Sequence, residues 1–246
     1  MKFSKITICC YVFFATLFQA NAQTKMYAIS TGELLFQSAD VQFTDEYKLA
    51  NPQAEVTGIP LRFTMAIHLG QNIHLDFNDN IGFYSGLALR NVGFISNERL
   101  LDEDNLLQDF KIIRRSYNLG VPLALKLGSF DKHFYIYGGA ELEMQFAFKE
   151  KYWESHNRSG SKSKNTEWFG SQTDTFIPSV FAGVQFPKGI NLKFTYYLDD
   201  FLNHNYKNAN NPISDLRRYE QTQLMYVSVS WQFKTEKIFK KSETTE

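Results

Sequence analysis

Residues 116–128 read SYNLGVPLALKLG. Tyr117, Leu119, Val121, Leu123, Leu125 and Leu127 are apolar, and Ser116, Asn118, Gly120, Pro122, Ala124, Lys126 and Gly128 between them are polar or small. A period of two is that of a strand whose two faces meet different surroundings. Beyond a turn at Ser129 to Lys132 the pattern resumes. Phe134, Ile136, Ala140, Leu142, Met144, Phe146 and Phe148 alternate with Tyr135, Tyr137, Gly139, Glu141, Glu143 and Gln145.

Similar hairpins lie on either side. Ile59, Leu61, Phe63, Met65, Ile67 and Leu69, then Ile73, Leu75 and Phe77, form one apolar face, with Arg62, Thr64, Ala66, His68 and Gly70 opposite. After Asn78-Asp79-Asn80 come Ile81, Phe83, Leu87 and Leu89, alternating with Gly82, Tyr84, Gly86, Ala88 and Arg90. A third pair flanks Pro187-Lys188-Gly189, with Phe176, Val180, Ala182, Val184 and Phe186 before it and Ile190, Leu192, Phe194, Tyr196 and Leu198 after it. The last strand carries Met225, Val227, Val229, Trp231 and Phe233; a first strand over roughly Tyr27 to Phe43 is the least regular.

Parity fixes the register. Centring the turns pairs Phe77 with Ile81, Leu127 with Phe134 and Phe186 with Ile190, apolar against apolar each time. A slip of one residue would invert every side chain. Between the hairpins lie longer connections, at 44–58, 95–110, 149–175 and 200–218. Short turns alternating with long loops are the pattern of an outer-membrane barrel. The expectation is an all-β fold: an eight-stranded antiparallel up-and-down transmembrane β-barrel.

Alternation alone also fits an exported soluble, lipocalin-like barrel with its apolar face inward. The content of the polar face argues for the lumen: Gly82, Gly86, Gly120, Gly139 and Gly183, with Ala66, Ala88 and Ala124. Glycine weakens a water-facing strand, whereas a narrow barrel interior needs small residues beside large ones. The apolar face then meets lipid. Arg62, His68, Arg90, Lys126 and Lys193 face Glu141, Glu143 and Asp199 across the lumen, and buried charges of both signs should pair. That favours a closed barrel over a small-solute porin.

Residues 1–22 have the form of a cleavable signal peptide: Lys2 and Lys5, an apolar run Ile6 to Phe18, and Ala20-Asn21-Ala22 as the cleavage site. Residues 23–234 form the barrel and 235–246 a polar tail beyond the terminal aromatic Phe233. Both cysteines, Cys9 and Cys10, lie in the leader, so the mature chain is expected to lack thiol nucleophiles, thiolate metal sites and disulfides. With 26 basic and 26 acidic residues there is no global field for nucleic acid.

Residues 80–94 (NIGFYSGLALRNVGF), residues 116–128 and Tyr135-Ile136-Tyr137-Gly138-Gly139 resemble the porin-like outer-membrane barrels of Bacteroidota, similar in style to OmpX and the PorT-like group. The resemblance implies an outer-membrane location and carries no shared catalytic motif.

The candidates for chemistry are few. Asp199, Asp200 and His204 at a strand end have the residue types of an outer-membrane protease; His156, Ser159 and Glu154 have those of a lipid A-modifying enzyme. Neither has the full constellation, so no catalytic, cofactor or metal residue is assigned and no cofactor is expected. The best candidate for a partner is the third long loop, where Lys151, Arg158, Lys162 and Lys164 are interleaved with Trp153 and Trp168. The expected partners are outer-membrane lipid and lipopolysaccharide, the barrel-assembly machinery during biogenesis, and an extracellular or envelope protein or glycan. The expected location is the outer membrane of a Gram-negative cell with both termini periplasmic.

Overall fold

The computed structural model describes residues 24–235 except 66–67, 102–105, 159 and 210. The leader, the tail from 236, Ala66, Ile67, the acidic run Asp102-Glu103-Asp104 and Ser159 lie outside the described residues, as does the side chain of Phe233. In chain order the elements are β1 (Lys25–Phe43), α1 (Asp45–Ala50), β2 (Glu55–Gly58), β3 (Arg62–Thr64), β4 (Leu69–Asp76), β5 (Ile81–Leu101), β6 (Leu107–Ser129), β7 (Phe134–Trp153), β8 (Lys162–Trp168), β9 (Phe176–Gln185), β10 (Ile190–Asp200) and β11 (Tyr219–Thr235). The helix α1 is short, and Thr44 caps it by accepting from the Tyr47 N–H at 3.2 Å.

Eight antiparallel staves close into a ring. β1, β4, β5, β6, β7, β9, β10 and β11 pair in turn, and β11 returns to β1 from Ala28↔Thr235 to Phe43↔Tyr219. The remaining strands extend staves at the end that carries the long connections: β3 lies on β1, β2 on the end of β5, and β8 on the end of β7. The second stave, expected as one run from Ile59 to Phe77, is thus broken. Pro60, which has no N–H for a ladder, lies in the first gap.

The first and third turns carry the expected registers, Asp76↔Gly82 and Gln185↔Asn191. The second differs: Leu127 pairs with Ile136 and Lys126 with Tyr137. The turn is one residue later than expected, closed by His133 N–H to Phe130 C=O at 3.1 Å. The resulting two-residue shift preserves parity, so no side chain changes face.

Around the middle of the barrel the outward side chains form an apolar belt. Leu119, Val121, Leu123, Leu125 and Leu127 on β6, Leu142 on β7, and Leu192, Phe194 and Leu198 on β10 are all exposed, while Ala124 and Lys126 are buried. Phe134 and Phe186, 6.2 Å apart, edge the belt near the short turns. Tyr117, Phe146 and Trp168 edge it on the other side. Apolar outside and polar inside is the polarity of a barrel that crosses a bilayer.

Past Tyr117 the polarity inverts. β6 has 23 residues, whereas crossing a bilayer takes about 9–11. In the projecting part Arg115 and Lys111 face outward, and Phe110 and Ile112 face inward at 2% and 0% exposure. The projecting staves enclose an ordinary apolar core that includes Leu35, Val92, Phe94, Phe148 and Ile177. Phe148, expected on the lipid face, is buried. A bulge between Tyr117↔Ala147 and Asn118↔Gln145 inserts one residue into β7 and flips its faces. The connection read as a loop at 95–110 is therefore largely strand, and that at 149–175 holds the end of β7 and all of β8.

Candidate functional site

Within the belt the lumen is filled by a knot of charge. Arg90 on β5 donates through Nη1 to Glu141 Oε1 and, at 3.3 Å, to Glu143 Oε1, both on β7; its Nε donates to Glu33 on β1 at 3.3 Å. Lys193 on β10 donates to the other Glu33 oxygen at 3.4 Å. Glu143 also accepts from Asn118 at 2.7 Å and from the Tyr197 hydroxyl at 2.9 Å. All these side chains are buried. Buried charge is tolerated where partners satisfy it, and here the partners come from β1, β5, β6, β7 and β10. The inward glycines make the room. A Cβ on Gly120 would run into the Glu141 carboxylate, and one on Gly183 would meet the Tyr137 ring.

Nearer the short turns Lys126 donates to Asp76 at 2.5 Å and lies 4.5 Å above the Phe130 ring. His74 is sandwiched between Tyr27 and Tyr84, at 5.2 and 4.9 Å between ring centroids. A cavity of about 230 Å³, lined by Tyr27, Phe130, Tyr135 and Gln232 among others, opens at that mouth.

Besides Lys126, which pairs with Asp76 instead, three residues expected in this network stand elsewhere. Asp199 is exposed. The β10–β11 register jumps from Tyr196↔Met225 to Asp200↔Gln223, and this irregularity turns Asp199 out of the lumen. Arg62 and His68 are buried at the break in the second stave, where they replace missing ladder bonds of β5. Arg62 donates to Asn91 C=O at 3.1 Å and to Asn91 Oδ1 at 2.8 Å, and His68 Nδ1 accepts from Asn91 N–H at 3.3 Å. Gln37 completes the seam by accepting from Gly93 N–H at 2.8 Å. Unpaired buried backbone groups are costly, so polar side chains are suited to such a gap.

The other mouth is closed by residues 201–209 and 211–218. Phe201, Leu202, Ile213 and Leu216 enter the apolar core. A second buried charge cluster, not anticipated from the sequence, pins this cap. Arg114 donates to Glu150 at 2.7 Å and to the Tyr219 hydroxyl at 2.6 Å, and Arg218 donates to Glu98 at 3.2 Å. Tyr219 donates to Glu98 at 2.8 Å, and Ser96 also donates to that carboxylate. Ser214 in the cap donates to Glu150. Burial pulls the Glu98 pKa upward, but Arg218, Arg114 and the Ser96 and Tyr219 hydroxyls outweigh it, and the net shift is downward. Inward-facing Phe110, Ile112 and Arg114 beside outward Lys111 and Arg115 were the available signal, in the opposite phase to the belt.

The third long connection is a hairpin of β7 and β8. Lys151 and Lys164 are cross-strand partners, as are Trp153 and Lys162. Trp153 is covered, with Arg158 5.6 Å and Lys162 5.3 Å above its ring. Trp168 sits at the base of the hairpin, 65% exposed and stacked on Phe146 at 6.0 Å.

Among the described residues, which do not include Ser159, the candidate catalytic groups do not assemble into accessible sites. His204 lies 3.0 Å from Thr222 Oγ1 and 4.0 Å from Asp200, a nucleophile-base-acid sequence in outline. Thr222 is fully buried, however, and its hydroxyl accepts from Leu202 N–H at 3.2 Å, so it anchors the cap. His156 rests beside Thr57 at 3.4 Å and Asp109 at 3.9 Å. Among the described residues no three metal-ligating side chains of the His, Asp or Glu type converge.

No family model matches the chain, and no curated protein matches it. Among solved structures it is similar to Neisserial surface protein A, at 12% identity over 85% of this chain and 97% of that one, with a TM-score of 0.37. It is also similar to Ail, the attachment invasion locus protein of Yersinia pestis (11% identity, 85% and 99% covered, TM-score 0.34). A third is the outer membrane protein OprG from Pseudomonas aeruginosa (13% identity, 87% and 98% covered, TM-score 0.36). The barrel assignment rests on the closed ring of staves itself.

Proposed function

We propose that the chain is a closed outer-membrane β-barrel of a Gram-negative envelope, with a structural or surface-interaction role and no catalysis. The observation that carries this reading is the Arg90 knot, which ties Glu33, Glu141 and Glu143 across the lumen in the half of the belt nearer Tyr117. Eight staves leave an interior just wide enough for side chains, and here charges, tyrosines and Phe181 occupy it. A small-solute channel would need that knot to part. A soluble ligand-binding barrel would need its apolar face inward at mid-barrel, where this one carries buried Lys126, Lys193 and Glu143.

Both termini of the ring, Lys25 and Thr235, lie at the short-turn end, which by the usual asymmetry of such barrels faces the periplasm. The projecting end then faces outward, available to an envelope protein, a glycan or lipid headgroups. Biogenesis would pass through the barrel-assembly machinery.

The test is electrical. Full-length mature protein refolded into planar bilayers should give no large, steady conductance. Reproducible openings comparable to those of a general porin would overturn the closed reading. Recovery of the native protein in the soluble periplasmic fraction would overturn the membrane reading.

A further inference from the structure

The outward face of β6, β7 and β8 beyond the belt carries cations in ordered rows. The registers set them out. Tyr117 and Trp168 flank Ala147 at the belt edge, with Phe146 stacked between them. Above lies a row of Arg115, Lys149 and Thr166, then one of Ile113, Lys151 and Lys164, then one of Lys111, Trp153 and Lys162. Of the nearby carboxylates, Glu150 turns inward to Arg114, Asp109 pairs with Arg99, and Glu167 accepts from Asn165 at 2.9 Å, while Glu154, beside Trp153 at the top of the hairpin, is exposed. The Lys151 ammonium has its pKa pushed down by partial burial and by Arg115, Lys162, Lys164 and Lys149 around it. Lys149 and Arg115 hang over the Tyr117 ring, at 5.0 and 5.9 Å from its centroid, so the patch begins at the aromatic edge itself.

We propose that this face binds the phosphorylated saccharide headgroup of lipopolysaccharide in the leaflet it meets. The inference rests on the membrane reading above. Three observations select this occupant. First, the cations adjoin the belt, so their ligand is held at the membrane surface. Second, Trp168 and Phe169 at the base of the hairpin are 65% and 69% exposed, and aromatic side chains at this level suit a lipid interface rather than bulk water. Third, the cations climb. From Arg115 to Lys111 is four residues, about 14 Å along the strand and roughly 10 Å in height at the usual tilt. A phosphoglyceride carries its phosphate at one level and would satisfy only the lowest row. A headgroup with phosphates distributed along a saccharide satisfies all three. Arginine and lysine are the side chains suited to such phosphates.

The test is a titration of the refolded full-length mature barrel in zwitterionic detergent micelles with rough lipopolysaccharide, compared with the triple variant Lys149→Gln, Lys151→Gln and Lys164→Gln. The expected result is a loss of affinity of roughly tenfold or more, because charge-assisted phosphate contacts are among the stronger polar contacts. Lys188→Gln, at the opposite end, should bind as the parent does. Dephosphorylated lipopolysaccharide should bind the parent no better than the triple variant. Equal affinity of parent and variant would overturn the proposal. So would equal competition by phosphatidylglycerol, or equally tight binding of a soluble sulfated oligosaccharide. Insertion of both proteins into phosphatidylcholine vesicles, read as heat-modifiable gel mobility, separates the two readings. Insertion without a difference in binding removes this site alone; failure of the parent to insert removes the membrane reading and this site with it.

Discussion

Glu98 holds two arginines. It is fully buried beyond the belt, where it meets Arg114 at 3.4 Å and Arg218 at 3.2 Å. Glu98→Gln would leave Arg218 without a carboxylate and Arg114 with Glu150 alone, and breaking such a buried pair costs about 3–5 kcal/mol. The effect should appear as protease cleavage within 201–218 while the belt stays inserted. Acid should act in the same direction. The carboxyl pKa lies below its ordinary value of 4.5, so the stabilisation is complete above that pH and is lost as pH falls through the folded-state value. Pepsin cleavage of the cap between pH 5 and pH 3, both approximate limits, would measure it; a cap equally resistant throughout would count against the cluster as its anchor. In the sequence Glu98 reads as one acid in an acidic connection. Arg62 and His68 are legible as inward polar residues, but their task at the seam is not. It depends on where β4 leaves the ladder, and no local pattern marks that point.

At the level of the strand, Leu123 and Ala124 are neighbours with opposite surroundings, 56% and 2% exposed. Leu123→Arg should lower the stability of the inserted barrel by about 2–4 kcal/mol if it lies near the bilayer midplane. Leu123→Ser should cost clearly more than Ala124→Ser in urea titrations of the inserted protein, and equal costs would refute the assignment of faces. The belt was readable because one rule holds over whole strands. The bulge at Phe146 was not, since an inserted residue has no residue type of its own. Its effect is nonetheless testable. Deleting Phe146 would remove the bulge and leave Gln145 and Ala147 in a regular ladder, with Phe148 and Glu150 still inward, whereas inserting one alanine after Ala147 would turn them outward and drive Lys149 and Lys151 into the core. The insertion should abolish the heat-modifiable folded band, whereas the deletion of Phe146 should retain it.

The whole molecule is two bodies on one set of staves: a barrel with a polar filling inside the belt, and a projecting body with an apolar core beyond it. The ring of eight and the faces within the belt followed from alternation and turn spacing. The projecting body was missed because its outward rows are charged, and charge between hairpins reads as loop. The cationic rows needed cross-strand register to emerge, since Arg115, Lys149 and Lys164 are far apart in the chain. The belt also has a height. From Leu119 to Leu127 is about 27 Å of strand, or roughly 20 Å once tilted. Below it lie turns and above it lie cations, so neither edge can move into hydrocarbon cheaply. A thick bilayer must therefore thin around the barrel, at a fraction of a kcal/mol for each ångström of mismatch. Insertion should be faster, and urea resistance greater, in vesicles of short-chain phosphatidylcholine than in long-chain ones. Membrane thickness is in this sense a second address written into the chain, set by the distance from the last turn to the first arginine.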